Sequence, residues 1–190
     1  PNSVTTQRSL KQIAADAVRV WHSNKSVAEN VKSNVAKRAK VRIDLERIAG
    51  SRKAPLPDFI SPQLASASQT APAGNRWVHE VKLDGYRMLC RVENGAIRLF
   101  SRNRREWTKQ FPDIAGALAA LPVESAWLDG EVVSLDSKGR SSFQALQNAL
   151  STGNRDLIYY VFDLPYLNGY DLRGVILEKR KPLLKRLGTG

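Results

Sequence analysis

The chain has almost none of the residues that build disulfides or zinc sites. Its 190 residues include one cysteine, Cys90, and two histidines, His22 and His79. A single cysteine excludes an intrachain disulfide and fits an intracellular compartment better than a secreted one. Structural zinc needs a full tetrahedral set of Cys or His ligands, which these residues cannot supply. Disulfide-stapled scaffolds and zinc-binding modules are therefore excluded.

Long apolar runs and acidic residues are also scarce. No stretch approaches the roughly eighteen consecutive apolar residues of a membrane span, and no basic, apolar leader signal is present, so we expect no membrane insertion. The 18 acidic residues are outnumbered by 30 lysines and arginines, which gives a net charge of +12. Such a surplus attracts polyanions by releasing their counterions. Nucleic acid is the expected partner, and an anionic membrane surface is the competing one.

Most of the basic surplus lies in residues 1–53, which hold twelve basic and four acidic residues. From Leu10 to Val18 the apolar side chains recur at helical spacing, and a weaker, very basic helical pattern follows over residues 27–42. We therefore predict a basic, partly helical arm over residues 1–53. It either holds DNA or serves as a solvated linker.

Residues 54–190 show the patterns of a folded domain. Strands are predicted at residues 77–81, 86–92, 97–101, 126–135 and 157–164, with a hairpin turn at Asn94-Gly95. Helices are predicted at residues 111–121, 143–150 and 178–187, and Pro182 should mark the beginning of the last helix or a kink in it. This order predicts an α+β fold with largely antiparallel sheets and flanking helices.

The stretch from Glu80 to Arg87, Glu-Val-Lys-Leu-Asp-Gly-Tyr-Arg, places one lysine beside a tight turn. Residues 77–81 alternate like a strand and Asp84-Gly85 is a turn signal, which predicts Lys82 at a strand end. If that end opens onto a cleft, partial desolvation and neighbouring cations lower the pKa of Lys82 and leave a neutral, nucleophilic amine. The alternative is a surface lysine that flanks a hairpin.

Three later residues are of types that bind parts of a nucleotide. Arg102 can fork onto phosphate or ribose oxygens, or it faces water with Arg104 and Arg105. Glu131 follows a glycine, and its carboxylate can accept a ribose hydroxyl or help hold hydrated magnesium; otherwise it is a charge on an exposed strand. Phe162 ends an apolar strand, where it either stacks on a purine or belongs to the core.

Four motifs occur in order along the chain: Glu-x-Lys-x-Asp-Gly-x-x-Arg, Ser-Arg-Asn, Asp-Gly-Glu and Phe-Asp-Leu. Together they resemble the covalent nucleotidyltransferases, the superfamily of ATP-dependent DNA ligases, RNA ligases and mRNA capping enzymes. The surrounding sequence is most similar to the central ligase module of the bacterial ligase D enzymes of non-homologous end joining. The likeness runs from about residue 9 to the end of the chain.

The resemblance implies that Lys82 attacks the α-phosphate of ATP, carries AMP, and passes it to a DNA 5′-phosphate before the strand is sealed. Glu80 and the neighbouring backbone of Val81 would contact adenine, and Phe162 would stack on it. Arg87 and Arg102 would contact the sugar and phosphates. Glu131 would bind the ribose and a divalent cation, Mg²⁺ or Mn²⁺.

The same resemblance implies a bacterial, cytoplasmic and nucleoid-associated protein. DNA is the implied partner, with a Ku-type end-binding protein and fused phosphoesterase or polymerase modules as further ones. Rival functions are an RNA ligase or capping-type enzyme and a non-catalytic, DNA-binding scaffold fragment. Guanine dependence would distinguish a capping enzyme, and absence of self-adenylylation would distinguish a scaffold.

Two positions depart from the family pattern, and two later motifs have no counterpart. Arg104 stands where many relatives have glycine, and Pro165 follows Phe-Asp-Leu. The Glu-Gly-x-x-x-Lys and Lys-x-Lys elements and the OB-fold domain are not found before Gly190. We therefore expect residues 54–190 to be the N-terminal part of the adenylation domain, which binds ATP poorly by itself and lacks full ligase activity.

Overall fold

The computed structural model describes residues 43–74, 77–153 and 156–189, and within these ranges the chain forms one sheet with helices beside it. The helices predicted over residues 10–42 lie outside the described residues. The strands are β1 Arg52–Lys53, β2 Tyr86–Glu93, β3 Ala96–Ser101, β4 Ser125–Ser134, β5 Leu157–Leu167 and β6 Tyr170–Asp171, and the helices are α1 Pro112–Ala119, α2 Phe143–Thr152 and α3 Leu177–Thr189. No described helix combines the length and apolarity that a membrane crossing needs.

The strands pair in the order β1-β6-β5-β4-β2-β3, and every pairing is antiparallel. The predicted α+β fold with a largely antiparallel sheet and flanking helices is confirmed. The β2–β3 turn is also as predicted, because Asn94 and Gly95 both have positive φ, 49° and 83°. Two successive residues of this kind close a hairpin whose twist matches that of its strands.

One face of the sheet is covered by the helices. Alternate side chains of β2, including Met88 and Cys90, point to this face, as the two-residue period of a strand requires. Leu118 of α1, Leu146 of α2 and Leu183 of α3 pack against them. This layer is the main hydrophobic core.

The opposite face carries a smaller apolar cluster covered by an irregular segment. Leu89, Phe100 and Trp127 lie on this face, and Ile60 packs on them from outside the sheet. The indole N–H of Trp127 donates to the carbonyl of Pro57 at 3.0 Å, which fixes the covering segment. The rest of this face, toward Arg87, carries polar side chains.

β3 is an edge strand, and the chain that follows it covers its outer side. The Leu99 N–H donates to Oγ1 of Thr108 at 3.0 Å, and the Leu99 carbonyl accepts from the Trp107 N–H at 2.8 Å. The Ser101 N–H donates to the carbonyl of Arg105 at 2.9 Å. Residues 105–108 therefore occupy positions where another strand would pair.

The pairing of β4 with β5 is irregular beside the candidate site. Asp129 lies opposite Asp163, whereas the next residue, Gly130, lies opposite Val161, so Phe162 is an extra residue in β5. A bulge of this kind redirects side chains and increases the local twist. β5 nevertheless continues through Pro165 to Leu167. The end of the strand, which Pro165 placed in doubt, is thus three residues later than the predicted Leu164.

The predicted strand at residues 77–81 is wrong. These residues form irregular backbone in the structure, and Trp77 and Val81 are 57% and 75% exposed. A strand joined to β2 by a tight turn at Asp84-Gly85 would have to pair with β2, but β3 and β4 already occupy both edges of β2. Local alternation could not reveal that no edge was available.

Two other boundaries differ from expectation. Helix α3 begins at Leu177, so Pro182 lies inside it and does not mark its beginning. Within the predicted arm, Leu45 is 5% exposed in the main core and β1 pairs with β6. The division of the chain at residue 53 stays a prediction, and the packing of Leu45 favours an earlier boundary.

Candidate active site

Three side chains of neighbouring strands lie in one row across the polar part of the sheet. Arg87 on β2 pairs with Glu131 on β4, and Glu131 pairs in turn with Tyr160 on β5. Directly opposite residues of antiparallel strands share a face and lie within side-chain contact. Phe162 lies beside this row, because its ring is 4.5 Å from the guanidinium carbon of Arg87.

Arg87 is held from two sides. Its Nε and Nη2 donate to the two carboxylate oxygens of Asp129 at 2.5 and 2.7 Å, and the guanidinium lies over the ring of Phe162. Asp129 is 4% exposed, and this burial raises the pKa of its carboxyl although Arg87 opposes the shift. A forked pair of this kind fixes both the position and the plane of a guanidinium. Arg87 is therefore oriented before any ligand binds.

Glu131 is a half-buried carboxylate surrounded by donors and cations. Burial raises its pKa, while the charges of Arg87 and Lys82 and a hydrogen bond from the Gly85 N–H act in the opposite direction. Its backbone enters the site next to Gly130, where a Cβ would lie 2.5 Å from the carbonyl oxygen of Tyr160 and 2.6 Å from Cε2 of Tyr159. The glycine of the Asp-Gly-Glu motif is thus required by packing against β5.

Lys82 lies in the irregular segment before β2, with its side chain 85% exposed and its ammonium paired with Asp84. The hydrogen bond and charge of Asp84 raise the pKa of Lys82, and the charge of Glu131 adds to that effect. The prediction of a partly desolvated lysine with a lowered pKa is therefore wrong for this structure. Desolvation of the ammonium acts to lower its pKa, but the neighbouring carboxylate of Asp84 outweighs it.

The turn after Lys82 is attached to β4 and to the segment before α2. The Asp84 N–H donates to Oγ of Ser141 at 3.0 Å, and the Gly85 N–H bonds the Glu131 carboxylate. A Cβ on Gly85 would lie 2.1 Å from the carbonyl oxygen of Val132, so only glycine permits this approach. These contacts place Lys82 close to Glu131.

Glu80 lies two residues before Lys82, and its carboxylate pairs with the ammonium of Lys181 on α3. The same ammonium donates to the carbonyl oxygen of Phe162 at 3.1 Å. Val81, between Glu80 and Lys82, has an exposed side chain. Lys181 thereby links Glu80, two residues before Lys82 in the chain, to Phe162.

Arg102 is near this end of the sheet but is not tied to the other candidates. It follows Ser101, which pairs with Met88, the residue after Arg87. Its side chain is exposed, and within the described residues no hydrogen bond or ion pair joins it to the row. Two residues later, Arg104 has φ 61°, a left-handed backbone conformation that glycine adopts readily. Arg104 therefore keeps the conformation expected of the glycine that many relatives have at this position.

Reasoning from the sequence missed the roles of several residues at this site. Asp129 was visible only as the first letter of a motif, although an acidic residue inside an apolar strand is itself a signal of a buried partner. Tyr160 and Ser141 carried no signal. Lys181 was one of several basic residues in the last helix, and nothing in the spacing showed which of them faces the site.

In the described part of the chain the site has no closed metal cage. Among residues 43–74, 77–153 and 156–189, no group of three or more His, Cys, Asp or Glu side chains could hold an ion. Asp129 is already forked by Arg87. Glu131 fits a different kind of site, since Mg²⁺ commonly takes one or two carboxylates and completes its shell with water and substrate phosphates.

Comparisons with known proteins connect the sequence and the fold to one family. A family model for the ATP-dependent DNA ligase domain matches residues 62–188. The multifunctional non-homologous end joining protein LigD of Pseudomonas aeruginosa is 48% identical over 139 residues, which are 73% of this chain and 16% of that protein. The Mycobacterium tuberculosis LigD is 38% identical over 135 residues, 70% of this chain and 17% of that protein.

Among solved structures, the crystal structure of the ligase domain of M. tuberculosis LigD has a TM-score of 0.51 at 40% identity, and covers 57% of this chain and 36% of that one. The chain spans about one sixth of the length of these two LigD proteins. The family match itself extends over more than half of the chain and includes β2 to β6, most of α3 and every candidate site residue. The chain therefore belongs to the ATP-dependent DNA ligase domain family.

Proposed function

We propose that this chain is part of an ATP-dependent DNA ligase that takes AMP from ATP onto Lys82 and transfers it to DNA. The observation that carries the proposal is the meeting of Lys82, Arg87, Glu131 and Phe162, which come from separate segments of a ligase-family domain, at one end of the sheet. Their chemical types match the parts of a nucleotide.

In this proposal the nucleotide lies across the polar row. Phe162 stacks on adenine, and Glu80 with the backbone of Val81 contacts the edge of the base. Glu131 accepts from the ribose, and Arg87 and Arg102 contact the sugar and phosphates. The fork from Asp129 supports this role for Arg87, because a guanidinium that is already oriented loses less conformational entropy when it binds.

The first chemical step needs Lys82 as a neutral amine. Asp84 holds it as an ammonium, so release from Asp84 and loss of a proton to solvent, which reaches the 85% exposed side chain, must precede the attack. Nζ then forms a bond to the α-phosphorus, and the bond from that phosphorus to the bridging oxygen breaks. Pyrophosphate leaves with the electron pair, the nitrogen loses a second proton to solvent, and AMP remains on Nζ as a phosphoramidate. Positioning and charge neutralisation supply most of the catalysis in such transfers.

A divalent cation fits the site through Glu131 and the phosphates of ATP. Mg²⁺ or Mn²⁺ held there would neutralise charge on the phosphates. The half-buried position of Glu131 supports this role, because a carboxylate whose pKa is raised by burial gains from a nearby cation.

In the next steps AMP passes from Lys82 to a DNA 5′-phosphate, and the 3′-hydroxyl displaces AMP to seal the strand. The charge of +12 supports a DNA partner. Residues 1–42, with nine basic and two acidic residues, would contribute to that contact. The similarity to LigD, a protein named for non-homologous end joining, supports a role in bacterial end joining. We further propose a Ku-type partner, fused phosphoesterase or polymerase modules and a cytoplasmic place at the nucleoid.

Labelling with ATP tests the proposal directly. The longest natural polypeptide that contains this chain is incubated with ATP labelled at the α-phosphate, denatured and separated. We expect covalent label on the wild-type protein, none on Lys82→Ala, and undiminished label on Lys138→Ala, an exposed lysine in the turn after β4. GTP in place of ATP should give little label.

Three results would contradict the proposal in different ways. Equal labelling of Lys82→Ala would remove Lys82 from the mechanism. Preference for GTP would indicate a capping-type enzyme. An unlabelled wild-type protein that still binds DNA would favour a non-catalytic scaffold.

A further inference from the structure

Lys181 joins two parts of the candidate site that are far apart in the sequence. Its ammonium pairs with the carboxylate of Glu80 and also donates to the carbonyl oxygen of Phe162 at 3.1 Å. The Lys181 side chain is 31% exposed and that of Glu80 is 45% exposed. The contact therefore lies at the rim of the site, where a ligand can reach it.

The position of Lys181 is fixed by the residue before it. Arg180 is 7% exposed, and its Nε and Nη2 fork onto the carboxylate of Asp163 at 2.8 and 2.9 Å. Asp163 directly follows Phe162, so two successive residues of α3 hold two successive residues of β5. A buried fork of this kind prevents α3 from sliding along the strand. Lys181 consequently reaches Glu80 from a rigid base.

Glu80 lies in a segment that needs such a contact. Residues 77–84 have no regular secondary structure, and the side chains of Trp77 and Val81 are largely exposed. The far end of this segment is attached through Asp84 and Gly85 to the rest of the site. Upstream of Lys82, this segment is held by the ion pair between Glu80 and Lys181.

We propose that Lys181 is a positioning residue for recognition of the base: it holds the Glu80 carboxylate beside Phe162 and thereby sets the preference for adenine over guanine. The inference rests on the proposed function. Adenine presents an amino group that donates to a carboxylate, whereas guanine presents a carbonyl at the same ring position. A Glu80 carboxylate fixed at the edge of the stacking site accepts from adenine and repels guanine.

Sequestration of Glu80 by Lys181 would give the opposite result. If the ion pair only sequesters Glu80, removing Lys181 liberates the carboxylate and the protein binds ATP more tightly. The sign of the change in KM therefore distinguishes positioning from sequestration.

The test compares variants of the longest natural polypeptide that contains this chain. Lys181→Met removes both contacts, Lys181→Gln keeps a donor for the Phe162 carbonyl without the charge, and Lys181→Arg keeps the charge. Lys185→Met, one turn further along α3, is the matched control, because Lys181 and Lys185 both line a cavity between α3 and Phe162. For each variant, the rate of covalent labelling is measured against the concentration of ATP and of GTP.

We expect Lys181→Met and Lys181→Gln to raise KM for ATP roughly tenfold, the order that one charge-assisted hydrogen bond contributes. We expect kcat to change by less than a factor of about two, because Lys181 does not touch the reacting atoms. The preference for ATP over GTP should fall by a similar factor. Lys181→Arg should retain most of the wild-type KM, and Lys185→Met all of it.

A double variant shows whether Lys181 acts through Glu80. In the Glu80→Gln background, Lys181→Gln should have no further effect on KM. An additive effect there, a lower KM for Lys181→Gln, or an unchanged KM would overturn the inference, as would a loss of kcat alone. If the wild-type protein takes no label from ATP, the proposed function is wrong. If the wild-type protein is labelled and Lys181→Gln leaves KM for ATP unchanged, only this inference is wrong.

Discussion

The buried fork between Arg180 and Asp163 should be among the largest single contributions to the stability of the domain. Arg180→Met keeps the aliphatic stem and removes the guanidinium. The side chains of Arg180 and Asp163 are 8% and 15% exposed, and Nη1 of Arg180 also donates to the Val175 carbonyl at 2.7 Å. The variant leaves a buried carboxylate without its partner, which costs about 3–5 kcal/mol.

Thermal and urea unfolding followed by circular dichroism would measure this cost. A domain of this size loses about 2–4 °C in Tm per kcal/mol, so we expect a fall of roughly 6–20 °C. Adding Asp163→Asn to Arg180→Met should restore part of the loss, because the unpaired charge is then neutralised. The control is Arg98→Met, whose ion pair with Glu106 joins side chains that are 52% and 45% exposed and which should cost less than about 1 kcal/mol. Equal losses for Arg180→Met and Arg98→Met would refute the reasoning from burial.

Two further predictions follow from the surroundings of Lys82 and from the glycines. Asp84→Asn removes the group that raises the pKa of Lys82, so the labelling rate should begin to rise at a lower pH than in the wild type. A rise at the same pH or at a higher pH would contradict the role of the Asp84 pair. Gly130→Ala places a Cβ 2.5 Å from a backbone oxygen and should cost about 1–3 kcal/mol, measured by urea unfolding. Gly188→Ala in α3 has open space around the new Cβ and should instead stabilise the protein by up to about 1 kcal/mol. If both variants changed the free energy of unfolding in the same direction, close packing would not be the cause.

Local patterns in the sequence predicted the strands and turns whose environment is local. The alternation in β2, the apolar run of β5 and the Asn94-Gly95 turn each depend on neighbours that are close in the chain. The position of Glu131 was predictable for the same reason, since the motif around it lies within one strand. Those features follow from a two-residue period and from turn chemistry.

Features that depend on distant partners were not predictable in this way. The segment before Lys82 alternates like a strand but has no free edge to pair with, a fact set by the positions of β3 and β4. The pKa of Lys82 depends on whether Asp84 or a cation is its nearest charged neighbour. Residue types alone did not show which of the two it is, and therefore whether the pKa is raised or lowered. The bulge at Phe162 and the reach of Lys181 follow from the register of β5 and the anchoring of α3.

The covered outer side of β3 has a consequence for how this basic protein behaves at high concentration. An exposed edge strand can pair with a strand of another molecule, which leads to fibres or domain-swapped dimers. Here residues 105–108 satisfy the Leu99 and Ser101 groups, Arg98 places a charge on the strand, and at the far border β1 is only two residues long. In the part of the chain that the structure describes, neither edge of the sheet offers a long strand for pairing. Self-association of this sheet by strand addition is therefore disfavoured, while its charged faces remain available to a polyanion.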